Sequence, residues 1–143
     1  RQRIPYAAAC LGPAFKAHEM AIEYSQIRET FGAALSSRQG IQWMLVENEI
    51  DLRTARWFVL DAAAKADRGD DFRTEAAICK LVASEAAGRV IDRSMQIHGG
   101  LGVAKDLPFE RWYREIRIRR IGEGPSEVQK HIIARDILGA GLR

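Results

Sequence analysis

The sequence IQWMLVENEIDLRTARWFVLDA, residues 41–62, carries the pattern that decides the fold class. Its inward-facing positions recur at alternating steps of four and three: Ile41, Leu45, Asn48, Leu52, Ala55, Val59 and Ala62. That spacing is typical of a helix in a bundle, where one stripe packs against neighbouring helices. Asn48 is the one polar side chain in the stripe, so it needs a buried hydrogen-bonding partner.

A second long helix is expected before this segment, from Pro5 to about Glu29. Its predicted buried stripe consists of Ile4, Ala8, Leu11, Phe15, His18 and Ile22. Pro13 predicts a kink, because proline lacks an N–H and crowds the preceding turn. The caps expected at the junction are Gly32 for the first helix and Ser36 or Ser37 for the second.

Three more helical segments follow. The third helix is expected to start at a Thr74 cap, to end at Gly99–Gly100, and to bury Ala77, Leu81, Ser84, Gly88, Ile91 and Met95. After a loop at 99–107, a short helix is expected from Pro108 to about Arg114, and a last one from Pro125 to Gly139. No strand alternation is present. The prediction is therefore a single all-α domain, residues 1–143, folded as an up-and-down four-helix bundle with a short extra helix.

The composition describes a globular chain and excludes several function classes. Its 143 residues are 47% hydrophobic and 29% charged, which suits one packed domain. A net charge of +3 does not require a nucleic-acid partner, and no apolar run is long enough for a membrane span. Cys10 and Cys79 are expected to be buried, reduced thiols of a cytosolic protein. Without an initiating Met or an apolar leader, the chain is expected to be a piece of a longer protein.

Glu123 is the first candidate for chemistry, because it stands between Gly122 and Gly124 on a turn that enters the last helix. Bare glycine backbone on both sides lets a flat ligand approach. A glutamate shielded from water rises in pKa toward the range useful for proton abstraction. The alternative is structural: Glu123 pairs with an arginine, or lies near a helix N-terminus that favours its charge.

Two other stretches offer groups that bind phosphate. Arg28 and Thr30 precede Gly32, and an arginine, a hydroxyl and free backbone amides together can bind a phosphate. An ordinary helix end with an exposed arginine explains the same residues. Gln96 and His98 precede the Gly99–Gly100 pair, whose amides suit a phosphate or an adenine. Rossmann, P-loop, metal-cluster and serine-hydrolase motifs are absent from the sequence. Five arginines between residues 111 and 120 fit either a nucleic-acid surface or a solvated face.

Together these motifs resemble the C-terminal helical domain of the acyl-CoA dehydrogenases. The matching residues run in order along essentially the whole chain: Arg28-x-Thr30-Phe31-Gly32, Gln39, Gln96-Ile97-His98-Gly99-Gly100-Leu101-Gly102, Glu110-Arg111, Arg114, Glu123-Gly124-x-Ser126-Glu127 and Ala134-Arg135. The resemblance implies an enzyme that binds FAD between this bundle and a β-domain, with a dimer partner completing the site. It also implies a homodimer or homotetramer, an acyl-CoA substrate and an electron-transfer flavoprotein as acceptor.

The resemblance also assigns roles to individual residues. Glu123 matches the catalytic base that removes the α-proton of the thioester. Arg3 and Gly124 match positions near the thioester. The positions matched to FAD are Arg28, Thr30 and Gln39, Gln96 with Gly99 and Gly100, and Ser126 with Glu127. Pro125 and Glu127 depart from the residues common in the family, which weakens the assignment of Glu127. Some members place the base near the start of the first helix, where this chain has Gln2 and Arg3.

Other interpretations remain open from the sequence. A non-enzymatic relative could use the same bundle for assembly or nucleic-acid binding, and an acyl-CoA oxidase or a nitroalkane oxidase-like flavoprotein would share the motifs. The resemblance implies a cytoplasmic enzyme in a bacterium or a mitochondrial-matrix enzyme in a eukaryote.

Overall fold

The computed structural model describes residues 2–139, which form a helical bundle as predicted. Its long helices are α1 (Arg3–Ile27), α2 (Gln39–Arg68), α3 (Arg73–His98) and α6 (Ser126–Leu138). Two shorter helices, α4 (Gly100–Val103) and α5 (Phe109–Arg119), lie between α3 and α6. The strands β1 (Glu29–Thr30) and β2 (Ala33–Ala34), followed by a 3-10 turn at Leu35–Ser37, join α1 to α2. No helix within residues 2–139 is long and apolar enough to cross a membrane.

Helix α3 lies at the centre of the bundle, and polar contacts fix its direction relative to α2. Near the start of α2, Asn48 reaches Ser94 near the end of α3, with 3.5 Å between Nδ2 and Oγ. Near the end of α2, Lys65 pairs with Glu75 at the start of α3. The two helices are therefore antiparallel. The contact between Asn48 and Ser94 also supplies the buried partner that the sequence required.

Helix α1 runs in the same direction as α3, because their C-terminal ends meet. The ring of Tyr24 stacks on that of His98, with 4.4 Å between ring centroids. On the other side, His98 contacts Phe109 of α5, with centroids 4.5 Å apart. This aromatic stack closes one end of the bundle. The loop between α5 and α6 lies toward the opposite end.

The buried face of α1 agrees only in part with the predicted stripe, of which Leu11 and His18 are buried. Ala7, Ala14 and Ala21 are fully buried, whereas Phe15 is 38% exposed. The prediction followed the larger apolar residues, but the small alanines are what let α1 pack closely against its neighbours. Helix α1 also continues through Pro13 without interruption.

The connection between α1 and α2 is a β-hairpin, so the prediction that no strand is present was wrong here. Thr30 pairs with Ala33, and the two residues between them have left-handed backbones, with φ of 51° at Phe31 and 75° at Gly32. Two left-handed residues in succession make the turn that suits the twist of a short hairpin. The left-handed Gly32 was predicted correctly, but it lies in this turn and does not cap a helix.

Three other boundaries differ from the prediction. Ser36 and Ser37 belong to the 3-10 turn, and α3 begins at Arg73 without a Thr74 cap. The expected loop at 99–107 contains helix α4, and α5 continues to Arg119. The last helix follows Pro125 and ends at Leu138, as predicted.

Candidate active site

Glu123 lies in a strained turn between α5 and α6. Its φ is 54°, a left-handed conformation that costs a non-glycine residue roughly 1–2 kcal/mol. Gly124 follows with a φ of 87°. The Glu123 side chain is exposed, and its carboxylate makes no ion pair within residues 2–139. The ion-pairing alternative therefore finds no support in the described part of the chain.

Buried donors hold the backbone of this turn in place. The Gly124 carbonyl accepts hydrogen bonds from Lys80 Nζ and from Gln129 Nε2, each at 2.8 Å. Gln129 Nε2 also donates to the Glu123 carbonyl at 3.2 Å. Lys80 and Gln129 are both fully buried. The turn is therefore fixed from inside the bundle, while the Glu123 carboxylate remains outside.

A second set of contacts anchors the start of α6. Ser126 Oγ donates to Glu85 Oε1 at 2.7 Å, and Arg120 Nη2 lies 2.8 Å from Glu85 Oε2. Burial alone would raise the pKa of Glu85, but the hydrogen bonds from Ser126 and Arg120 bring it below its ordinary value. Glu85 thus stays ionised and joins the two ends of the turn. Ser126 is one of the residues matched to FAD, but its hydroxyl proton is donated to Glu85 within the chain.

The glycines on either side of Glu123 have reasons internal to the bundle. A Cβ at Gly122 would lie 2.5 Å from the Tyr6 hydroxyl, and a Cβ at Gly124 would lie 2.6 Å from Gln129 Nε2. The sequence interpretation explained both glycines by the approach of a ligand. Close packing and the left-handed backbone of Gly124 already require them.

The other matched residues lie near the aromatic end of the bundle. Arg28 and Thr30 flank the start of the hairpin, and the Arg38 guanidinium donates to the Thr30 carbonyl at 2.7 Å. Gln39 is the first residue of α2, directly after Arg38. Arg28 and Gln39 are both exposed. The structure thus brings Arg28, Thr30 and Gln39 together on one surface.

Gln96, Gly99 and Gly100 border a shallow groove at the end of α3. The groove has a volume of about 460 Å³, and Tyr113 of α5 also lines it. Gly99 has φ 60° and ψ −138°, a backbone conformation essentially restricted to glycine. A Cβ at Gly100 would meet nothing within 4 Å. His98 is buried, with Nδ1 2.8 Å from the Ser94 carbonyl oxygen, and its role is structural.

The two groups of matched residues are far apart within one chain. The Glu123 turn contacts Lys80, whereas Gly99 lies nineteen residues further along the chain, directly after the end of α3. At 1.5 Å per residue this separation is about 28 Å along the helix. Arg3 lies with the first group, near the start of α1, and lines a surface groove with Arg73 and Arg135. Glu127 is exposed on the first turn of α6.

Most of the arginines between 111 and 120 are engaged within the chain. Arg111 pairs with Glu115, Arg114 with Glu110 and Arg120 with Glu85, and Arg119 lies over the Tyr6 ring. Paired guanidinium groups present little net positive charge, so this face favours the solvated interpretation over nucleic-acid binding.

The comparison with known families decides the assignment. A family model described as "Acyl-CoA dehydrogenase, C-terminal domain" matches residues 1–138. The chain belongs to the acyl-CoA dehydrogenase family. The fold and the resemblance stated from the sequence are thereby confirmed.

Individual relatives support this assignment. The chain is 42% identical over 136 residues to the mitochondrial short-chain specific acyl-CoA dehydrogenase of Bos taurus, covering 95% of the chain and 33% of that protein. It is 41% identical over 136 residues to acryloyl-CoA reductase (NADH) of Anaerotignum propionicum, covering 95% of the chain and 34% of that protein. The structure of butyryl-CoA dehydrogenase from Megasphaera elsdenii matches with a TM-score of 0.92 at 39% identity, covering 95% and 36%. The chain spans about a third of the length of these acyl-CoA dehydrogenase relatives.

Three residues important to the turn were not found from the sequence: Lys80, Glu85 and Gln129. Each is polar within an otherwise helical pattern, where polar residues are usually placed on the solvent side. The available signal for Lys80 was its position one residue from the predicted stripe member Leu81. That signal is weak, because long charged side chains commonly reach solvent from such positions.

Proposed function

We propose that this chain is the C-terminal part of a longer, FAD-dependent acyl-CoA dehydrogenase. The reaction is the α,β-dehydrogenation of an acyl-CoA thioester to the trans-2-enoyl-CoA, with Glu123 as the base. The observation that carries the proposal is the Glu123 turn: a carboxylate without an ion pair among residues 2–139, on a left-handed backbone held by buried donors. Strained residues held by their surroundings are common at active sites. Membership of the acyl-CoA dehydrogenase family supports the same function.

The residues matched to FAD fit such a cofactor. Arg28 is exposed beside the hairpin and offers its guanidinium to a pyrophosphate. Gly100 has open space where a side chain would be, so its backbone can be approached closely. Gln96 lies beside it in the same groove. When bound, the flavin supplies the acceptor for the hydride that leaves the β-carbon.

Glu123 takes the proton in this proposal. Its carboxylate accepts the α-proton of the thioester, and its backbone N–H donates to the thioester carbonyl as negative charge develops there. Gly124 and Arg3, which is the first residue of α1, would border the place for the thioester. Lys80 and Gln129 hold the turn still, so the carboxylate does not have to be ordered anew in each catalytic cycle.

The distance between the two groups of residues favours an oligomer. Lys80, which contacts the Glu123 turn, lies about 28 Å along α3 from Gly99, so Gly99 and the Glu123 turn cannot both lie at the reacting end of one flavin. We therefore propose that Arg28, Thr30, Gln39 and Gln96 contact the FAD of a neighbouring subunit, in a homodimer or homotetramer. Ser126, whose hydroxyl oxygen can still accept a hydrogen bond, and Glu127 would contact the FAD of their own subunit.

The second candidate function is the reverse reaction, the reduction of an enoyl-CoA. The chain is as similar to an acryloyl-CoA reductase as to a short-chain dehydrogenase, at 41% and 42% identity. A reductase would use Glu123 in the opposite sense, returning a proton to the α-carbon of an enoyl-CoA. We favour dehydrogenation with an electron-transfer flavoprotein as acceptor. The same test distinguishes a dehydrogenase from an acyl-CoA oxidase, which passes its electrons to oxygen.

The test is an anaerobic titration of the full-length, FAD-loaded protein with acyl-CoAs of increasing chain length. The proposal expects saturable bleaching of the yellow flavin band and a stoichiometric trans-2-enoyl-CoA product by mass spectrometry. If the reduced flavin is reoxidised rapidly by an electron-transfer flavoprotein and only slowly by air, the enzyme is a dehydrogenase. Absence of bleaching with every acyl-CoA, together with flavin reduction by NADH and consumption of an enoyl-CoA, would show that the enzyme is a reductase.

A further inference from the structure

Lys80 is a fully buried lysine in the N-terminal third of α3, and its only hydrogen-bonding partners within residues 2–139 are backbone carbonyls. Its ammonium lies 2.8 Å from the Gly124 carbonyl oxygen and 3.5 Å from that of Arg120. Its side chain is 0% exposed, and no carboxylate in the described residues lies within ion-pairing distance. Burial lowers the pKa of Lys80.

Such an arrangement is unfavourable for folding alone. Lysine is almost never fully buried without a paired acid, because its charge loses hydration that neutral carbonyls replace only in part. An apolar side chain of similar length would fill the same space without that loss. The lysine must therefore be explained by what its ammonium holds.

The Lys80 ammonium donates hydrogen bonds to backbone carbonyls on both sides of Glu123. Arg120 precedes the turn and Gly124 follows Glu123, so one donor joins both sides of the left-handed residue. Gln129, which lies in α6 after the turn, donates to the same Gly124 carbonyl. With both donors present, the Gly124 carbonyl is fully engaged and the Gly124–Pro125 peptide cannot rotate freely.

We propose that Lys80 is a positioning residue for the catalytic base: its ammonium fixes the backbone on both sides of Glu123 and thereby the direction of the Glu123 carboxylate. This inference rests on the proposed role of Glu123. Lys80 itself is buried, so it acts on the reaction only through the turn. Its removal should slow proton abstraction much more than it weakens substrate binding.

The experiment uses the full-length, FAD-loaded enzyme and rapid-mixing measurement of flavin bleaching. Lys80→Met keeps the length of the side chain and removes the ammonium. The expected result is a bleaching rate constant at saturating acyl-CoA about 100-fold lower, since a misplaced base loses about that much. The substrate dissociation constant should change by less than about threefold, because the contacts with the remainder of acyl-CoA are unchanged. Rates are normalised to bound flavin, so unfolded protein does not contribute.

Two further variants separate positioning from stability. Val90→Ala removes buried volume from the same helix away from the turn, and it should lower the unfolding temperature without lowering the bleaching rate. Gln129→Leu removes the other donor to Gly124, so its effect combined with Lys80→Met should be smaller than the product of the single effects. If Lys80→Met does not retain flavin, Lys80→Gln takes its place in the comparison.

Glu123→Gln is measured in parallel to separate the two claims. If Glu123→Gln abolishes bleaching but Lys80→Met bleaches at the wild-type rate, the positioning role is wrong and the base assignment stands. If Glu123→Gln still bleaches normally, the proposed function of Glu123 fails. A Lys80→Met rate that falls only as far as that of Val90→Ala would also overturn the positioning role.

Discussion

Replacing Gly124 by alanine should destabilise the bundle much more than the same change at Gly32. Both glycines have left-handed backbones, with φ of 87° and 75°. A Cβ at Gly32 meets nothing within 4 Å, whereas one at Gly124 would lie 2.6 Å from Gln129 Nε2. Gly32→Ala therefore isolates the backbone cost, and Gly124→Ala adds the displacement of a buried amide.

The magnitude follows from these contacts. A left-handed alanine costs about 1 kcal/mol at either position. At Gly124 the displaced Gln129 amide also loses its hydrogen bonds to two carbonyls, which adds about 1 kcal/mol for each. The expected losses in the free energy of unfolding are about 1 kcal/mol for Gly32→Ala and about 3 kcal/mol for Gly124→Ala.

Urea denaturation of the 143-residue chain, followed by circular dichroism, measures both variants. With the slope usual for a chain of this size, the two midpoints should differ by about 1 M urea. Equal midpoints for the two variants would refute the reasoning, because they would mean that the Gln129 amide does not hold the Glu123 turn.

Two further predictions concern the opposite end of the bundle. Gly100→Ala should leave the free energy of unfolding within about 0.5 kcal/mol of the wild type, because the site is open, yet lower the FAD content of the full-length protein measured by its absorbance ratio. Unchanged FAD content would remove Gly100 from the cofactor site. Burial lowers the pKa of His98, so the unfolded chain binds more protons, and stability should fall as pH drops below about 6.5. His98→Gln should reduce that dependence in urea midpoints measured across this range, and an unaltered dependence would assign it to other groups such as His18.

Helix α2 was predictable because its large apolar residues recur with one clear period. Asn48 was correctly identified as a buried polar residue in need of a partner, although its partner Ser94 lies 46 residues away and leaves no local signal. The face of α1 was predicted less well. Alanine occurs on buried and exposed faces alike, so the burial of Ala7, Ala14 and Ala21 depends on how closely the neighbouring helices approach.

The hairpin after α1 could not be recognised from periodicity, because strands of two residues have no alternation to detect. The candidate site was predictable where a reactive side chain stands in an unusual local sequence, as Glu123 does between two glycines. The groups that fix Glu123 were not predictable. Lys80 and Gln129 are 43 and 6 residues from Glu123 in the sequence, and only the folded chain brings them to one carbonyl.

The central claim is that the Glu123 carboxylate removes the α-proton of an acyl-CoA. The most direct measurement is the rate of flavin bleaching by acyl-CoA in full-length Glu123→Gln, with the wild type measured beside it. Because glutamine keeps the shape but cannot accept the proton, the yellow flavin should remain bound while bleaching slows by about 1,000-fold or more. Bleaching of the variant at the wild-type rate would contradict the account.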